Sequence, residues 1–344
     1  MMKKAIRAIG SAWGQRITLL VLICIVMAIA EPVFFKLDNY KSILLAIAVN
    51  GVMVCGMLFT VLVGGMDLSV GAMAGISASI AYRIAESSGF TTSGFLSGCA
   101  LALALCLVAG AVSGLLVTRF ALPAFVVTLA MKYIVYGSIY LVTQGFFVLP
   151  PAHGLSYQVG NQIVFSIPVG GGNKLNIPMP VIILIIVVAI CAFVLVKTTY
   201  GRKLYAIGGN KNVANLVGIK SNANIVGAFM ISGVLAGIAG IMLASMNGQA
   251  GQTTALNYEG NVLMAMVVGG VNLAGGEGGV AGAIFGALFV GIINNVMVLL
   301  SVEATIQTFV RGIVILAAMT LNMYARRGST GAMKIKIAKA DKAA

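Results

Sequence analysis

"VKTTYGRKLYAIGGNKNVANLVGIK", residues 196–220, is unlike the chain around it. These 25 residues hold five cations (Lys197, Arg202, Lys203, Lys211, Lys220), no acid and four glycines. Long apolar runs lie on either side, in a chain of 344 residues that is 60% hydrophobic and only 9% charged. A soluble domain carries about 25% charge. Mean hydropathy is +1.05, and apolar runs of roughly 20 residues match the hydrocarbon thickness of a bilayer. The fold class read from this is an all-α integral membrane protein.

Ten helices are expected, near 17–35, 42–63, 69–85, 95–117, 123–142, 178–196, 223–246, 260–274, 279–300 and 305–324. The eighth is short and glycine-rich, as a broken or re-entrant segment is; such breaks survive at membrane depth when protein shields them or they line a cavity. Cations bias connections toward the cytoplasm. With both termini inside, the inner segments collect four cations before the first helix, Arg119, the five quoted above and six after residue 325. Those are sixteen of 22; Lys36, Lys41, Arg83 and Lys174 fall outside, and Lys132 and Arg311 within spans. The domain organisation expected is a single membrane domain, 1–325, with a short basic cytoplasmic tail, 326–344. The apolar stretch after Lys3, Lys4, Arg7 and Arg16 reads as a retained anchor rather than a cleaved leader.

Several function classes are excluded. The net charge of +14 sits in connections and termini rather than in a basic stripe with aromatics, which argues against nucleic acid. All five cysteines lie in apolar runs and act as small hydrophobes. His153 is the only histidine, so neither a histidine metal site nor a Ser-His pair inside the bundle is expected, and no catalytic residue is assigned. There is no phosphate-binding G-x-x-x-x-G-K-[ST] loop, so no cofactor is expected on this chain. In "GGEGGVAG", Gly276, Gly278 and Ala281 weakly match a dinucleotide fingerprint, but no βαβ unit surrounds them and a tight interhelical turn is the better reading. Gly110 and Gly114, and Gly233 and Gly237, sit four apart, as on faces where helices approach closely in lipid.

Charges within spans are few. A charge at the centre of a spanning helix costs about 2.5–3.5 kcal/mol. Asp67, in "VGGMDLSVG", avoids most of this if it faces the positive end of a helix beginning nearby, so Asp67 or Ser69 is read as a helix-start cap in preference to a proton carrier. Asn50, Thr60, Thr128, Asn247, Glu259, Asn294 and Asn295 are candidates to line a pathway, with an interhelical hydrogen bond the preferred reading for any single one of them.

In the opening stretch Asn210 is a good N-cap and Gly218 a good left-handed C′ residue, enclosing a two-turn helix. Val213, Leu216 and Val217 share one face of it. A helix this short requires a surface to bury that face; a solvated basic loop and a lipid-headgroup contact are the other readings. Gly208 and Gly209 let the chain turn sharply before it, and a bulky residue at Gly209 is expected to break the device.

"TTYGRKLYAIGGNKNVANLVGIK" resembles the cytoplasmic loop of the ribose-type sugar permeases of bacterial ABC importers. "GGMDLSVGAMAG" (64–75), "LPAFVVTLAMKYIVYG" (122–137) and "VVGGVNLAGGEGGVAGAIFGALFVGIINN" (267–295), in this order, extend the resemblance over residues 40–324. It implies a multi-pass permease of the bacterial inner membrane. Its partners would be an ABC ATPase subunit that carries the ATP and Mg, a sugar-binding protein, and a second permease copy or paralogue around one central pathway. It further implies that Gly201, Arg202, Tyr205, Gly208, Gly209, Asn210, Ala214 and Gly218 form the ATPase-coupling region, its motion passed to helices six and seven. The chain departs from the family pattern in "YEGNVLMA", where Gly260 and Asn261 replace leucine and aspartate. An ion-coupled secondary transporter or facilitator, and a scaffold without transport, are the rival readings.

Overall fold

The computed structural model describes residues 31–170 and 173–320, with scattered helical positions between 14 and 29. The expected anchor is described only at those positions, and the basic tail and both termini lie outside the described residues. After a 3-10 turn at Pro32–Phe35 come α1 (Leu37–Leu62), α2 (Val70–Ser87), α3 (Thr92–Arg119) and α4 (Ala124–Thr143). A short α5 (Leu155–Asn161) leads into strands β1 (Ile163–Gly170) and β2 (Asn173–Pro178). Then follow α6 (Met179–Lys197), α7 (Thr199–Gly209), α8 (Lys211–Leu216), α9 (Ser221–Asn247), α10 (Tyr258–Val268), α11 (Val280–Leu299) and α12 (Ala304–Thr320).

Six of these helices are long and apolar enough to cross a membrane: α1, α3, α4, α6, α9 and α11. Of the ten expected helices, the eighth is again the short one. α2 has 18 residues and α10 only 11, so α10 is about 16 Å long at 1.5 Å per residue, half of a hydrocarbon core of about 30 Å. The all-α expectation is also corrected. Residues 163–178 pair as an antiparallel hairpin, with Phe165 opposite Ile177 and Ile167 opposite Leu175.

Burial separates the helices into an inner and an outer set. α1 is largely buried, whereas α3 and α4 are largely exposed. α9 packs on α1, α2 and α3. Its small residues permit this: a Cβ on Gly233 would overlap the Cys106 carbonyl oxygen of α3, and one on Gly240 would overlap that of Ala74 in α2. The outer flanks are hydrocarbon, with Leu101, Leu105, Val108 and Val112 exposed on α3 and Ile185, Ile186, Ile190 and Phe193 on α6, as suits a lipid contact.

Connections expected on one face meet at one end of the bundle. At that end the Leu62 carbonyl accepts from Gly276 N–H at 2.9 Å, joining the end of α1 to the turn before α11. At the other end Val148 and Ala250 form an antiparallel bridge. There Ser245 Oγ donates to the Ser156 carbonyl and accepts from Gly160 N–H, both at 2.7 Å.

Replacing Gly240 with valine is expected to destabilise the fold by about 1–3 kcal/mol through overpacking, read as a lower Tm in detergent. Gly260→Ala, whose Cβ meets nothing within 4 Å, is expected to raise stability by about 1 kcal/mol, the helix-propensity difference.

Candidate functional site: a docking helix and a buried polar layer

The opening loop folds as two short helices. Thr198 Oγ1 accepts from Gly201 N–H at 3.2 Å and starts α7. Asn210 Oδ1 accepts from Asn212 and Val213 N–H at 3.0 and 3.1 Å and starts α8. Gly218, at φ +82°, ends α8 in the left-handed region.

α7 is held firmly. Leu204 and Ile207 are buried, and a Cβ on Gly201 would overlap the backbone of Leu195. Gly208 is the tightest point, since a Cβ there would overlap both the Leu62 carbonyl oxygen and Gly276 N. Tyr205 Oη donates to the Gly278 carbonyl at 2.9 Å, and burial pushes its phenol above its ordinary range, so it stays a donor. Gly209 differs: its φ is not positive and an added Cβ meets nothing within 4 Å. The restrictive glycine is therefore Gly208 and not Gly209. The junction runs to the end of α1 and to the turn before α11, as well as to α6 and α9.

α8 is pinned by one side chain. Ala214 is buried and packs with Ile207, Ile225 and Phe229. Val213, Leu216 and Val217 point away and are 53%, 86% and 71% exposed, while Arg202 is exposed on α7. The result is a rigid two-turn helix with an apolar face uncovered and cations around it.

A polar layer lies deeper in the bundle. The buried Asp67 Oδ1 accepts from Ser69 N at 3.0 Å and Ser69 Oγ at 2.5 Å, and its Oδ2 accepts from Ser232 Oγ of α9 at 2.7 Å. Ser69 makes no side-chain cap; Asp67 supplies the oxygen at this helix start. Thr128 Oγ1 donates to the Met66 carbonyl at 3.0 Å, and Thr60 Oγ1 to that of Met57 at 2.9 Å.

Glu259, in the first turn of α10, meets Lys132, which stands midway along α4; Nζ and Oε1 are 2.5 Å apart. The remaining oxygen, Oε2, is buried without a hydrogen-bond partner beside Gly71, where a Cβ would come within 2.5 Å of it. The Lys132 ammonium lies 5.8 Å from the centre of the Tyr136 ring. Tyr136 Oη accepts from Asn257 N at 3.3 Å and donates to the Ala255 carbonyl at 3.4 Å. Ala255 and Asn257 hold φ values of +59° and +61°, a strained arrangement for residues with side chains.

The other pathway candidates scatter. Asn295 pairs reciprocally with Asn39 of α1, at 2.7 and 3.0 Å, which places it in a helix–helix contact. Asn50 Nδ2 donates to the Ala46 carbonyl of its own helix at 2.9 Å. Asn294 carries a buried Oδ1 without a partner, and Asn247 is exposed at the end of α9. Sequence reasoning missed Ser232, Tyr136 and the pairing of Lys132 with Glu259. A signal existed for the last: a lysine and a glutamate inside apolar segments have to find opposite charge.

Comparison with known proteins places this architecture. The chain is 35% identical over 308 residues to the ribose import permease protein RbsC of Haemophilus influenzae, covering 90% of this chain and 92% of that one. It is 34% identical over 305 residues to RbsC of Bacillus subtilis, covering 88% and 90%. The L-arabinose transport system permease protein AraH of Escherichia coli is 32% identical over 323 residues, covering 92% and 93%. No solved structure matches the chain. The family model described as branched-chain amino acid transport system / permease component matches residues 39–319, and the chain, a multi-pass membrane protein, belongs to that family.

Proposed function

We propose that this chain is the membrane-spanning permease subunit of a bacterial ATP-binding-cassette importer, and that it moves a monosaccharide or related polyol across the inner membrane. The observation that carries the reading is the uncovered face of α8. Apolar residues on a pinned, two-turn helix at the basic end of a membrane bundle suit a cleft in a soluble partner. In this reading the partner is an ATPase subunit, which binds ATP and Mg; this chain takes part without hydrolysing ATP. A sugar-binding protein delivers cargo at the opposite end, and a second copy or paralogue completes the pathway. Similarity to ribose and arabinose permeases supports the cargo class.

The mechanics follow from the junction. Movement of the ATPase displaces α8 and α7 together, because Asn210, whose side chain caps α8, donates its N–H to the Ala206 carbonyl of α7, and Ala214 packs on Ile207. α7 then bears on the end of α1 and the 272–278 turn through Gly208 and Tyr205. ATP and loaded binding protein drive transport by favouring different states of this bundle.

Two measurements test this. A cysteine at Lys211 or Val213 is expected to cross-link to the ATPase subunit in inner membranes; labelling of those positions by an impermeant reagent from outside intact cells would contradict the orientation. Gly208→Leu is expected to lower sugar-stimulated ATP hydrolysis at least tenfold while the subunit still inserts, and Gly209→Leu, where space is open, to stay within twofold of the parent.

A further inference from the structure

The Lys132–Glu259 pair stands apart from the rest of the bundle. Among the described residues the other ion pair, Arg83–Glu86, is an exposed contact of neighbouring turns in one helix, of little energetic weight. Lys132 and Glu259 instead join two helices, 127 residues apart in sequence. Each charge costs a few kcal/mol to place in hydrocarbon, and such residues mark solute pathways. The pair is incompletely satisfied: Glu259 Oε2 is left without a hydrogen-bond partner although the residue is only 8% exposed. Two of the three ammonium N–H groups of Lys132 remain for other acceptors.

The flank of α4 beside the pair differs chemically from the other exposed flanks. Lys132, Tyr133, Tyr136, Gly137 and Tyr140 recur at three- and four-residue spacing, so they form one stripe. Tyr133 and Tyr140 are exposed, and an added Cβ on Gly137 meets nothing within 4 Å. α3 and α6 show hydrocarbon side chains to their surroundings, whereas this stripe shows the phenols of Tyr133 and Tyr140, with Tyr136 and the Lys132 ammonium half-buried beside them. Aromatic faces and charged hydrogen-bonding groups side by side suit a monosaccharide: its C–H surface packs on rings, and its hydroxyls donate to carboxylate and accept from ammonium.

We propose that Lys132, Glu259 and Tyr136, with the neighbouring tyrosine rings of α4, form a water-lined binding station for the hydroxyl groups of the transported solute, at the middle of the membrane. The proposal rests on the permease reading and adds the place and chemistry of solute contact. α10 makes the station responsive to the drive. Glu259 sits in its first turn, and its last turn leads through Gly269 and Gly270 into the 272–278 turn that α7 holds.

The test uses the complete transporter in membrane vesicles. Gly137→Cys, in a chain whose five native cysteines are replaced by alanine, is expected to react with a charged, water-soluble methanethiosulfonate. Reaction should slow at least threefold in 100 mM of the pentose that the parent takes up fastest among D-ribose, L-arabinose and D-xylose. Glu259→Gln is expected to lower uptake of that pentose at least tenfold at an unchanged membrane level. The exchange of Lys132→Glu with Glu259→Lys, which keeps an ion pair, should not restore uptake. Restoration by the exchange, or reaction of Gly137→Cys only with a lipid-soluble maleimide, would overturn the proposal by making the pair a packing contact or the stripe a lipid face. If the parent takes up none of these sugars, a pentose cargo is ruled out, and the reagent arm still decides whether the stripe lines water.

Discussion

A helix that ends within a membrane protein leaves carbonyls that lipid cannot satisfy, and the bond from Gly276 N–H to the Leu62 carbonyl is the response on which much of this fold depends. It requires the chain before α11 to return to the end of α1. That return is made with Gly275 and Gly276 at φ +96° and +75°, a conformation open to glycine at little cost. The same approach leaves no room for a side chain on Gly208, so α7 rests directly on the bonded pair. One buried backbone hydrogen bond thereby fixes the seat of the basic helices, and α8 projects because α7 is held.

The polar layer obeys a related rule. The first turn of α2 has unpaired N–H groups and a positive dipole end. Asp67 closes one side of it through Ser69, and Glu259 approaches the other beside Gly71. Two carboxyl groups around one helix start, with Lys132 opposite, lower the cost of charge at depth without abolishing it. The residual cost explains why such groups are scarce in this chain, and why the Ser232 hydroxyl is drawn to Asp67 from α9.

The parts of this architecture legible in the sequence are those set by local chemistry. Apolar length located the long helices, and Asn210 and Gly218 bounded α8 because caps depend on a few adjacent residues. The hairpin at 163–178 was missed although Ile163, Phe165 and Ile167 alternate ahead of a run of glycines, a short period-two pattern within the longest connection between apolar runs. For Asn295 the sequence left two readings open: its partner Asn39 lies 256 residues away, and nothing near it in the sequence distinguishes a paired amide from one facing a pathway. For Glu259 and Lys132 the sequence showed that each charge needs a partner, though not that the two meet across 127 residues. Gly208 and Gly209 are identical side by side, and only the packing tells which one touches Leu62.

The short length of α10 is what lets the two sites belong to one mechanism. A full span would put its ends on opposite faces of the membrane, and movement at one face would reach mid-depth only through bending. At about 16 Å, α10 runs from the basic end of the bundle to the ion pair as a single rigid piece. Its packing is close along this path: a Cβ on Gly286 of α11 would overlap the Ala265 carbonyl oxygen, so α10 and α11 slide or tilt together rather than separating. Closely packed interfaces settle into discrete arrangements rather than deforming continuously. In the proposed mechanism, displacement at Gly208 and Gly276 reaches Glu259 through α10, and the charge pair between α10 and α4 is where a small tilt alters the electrostatics, because the attraction of two charges varies with their separation.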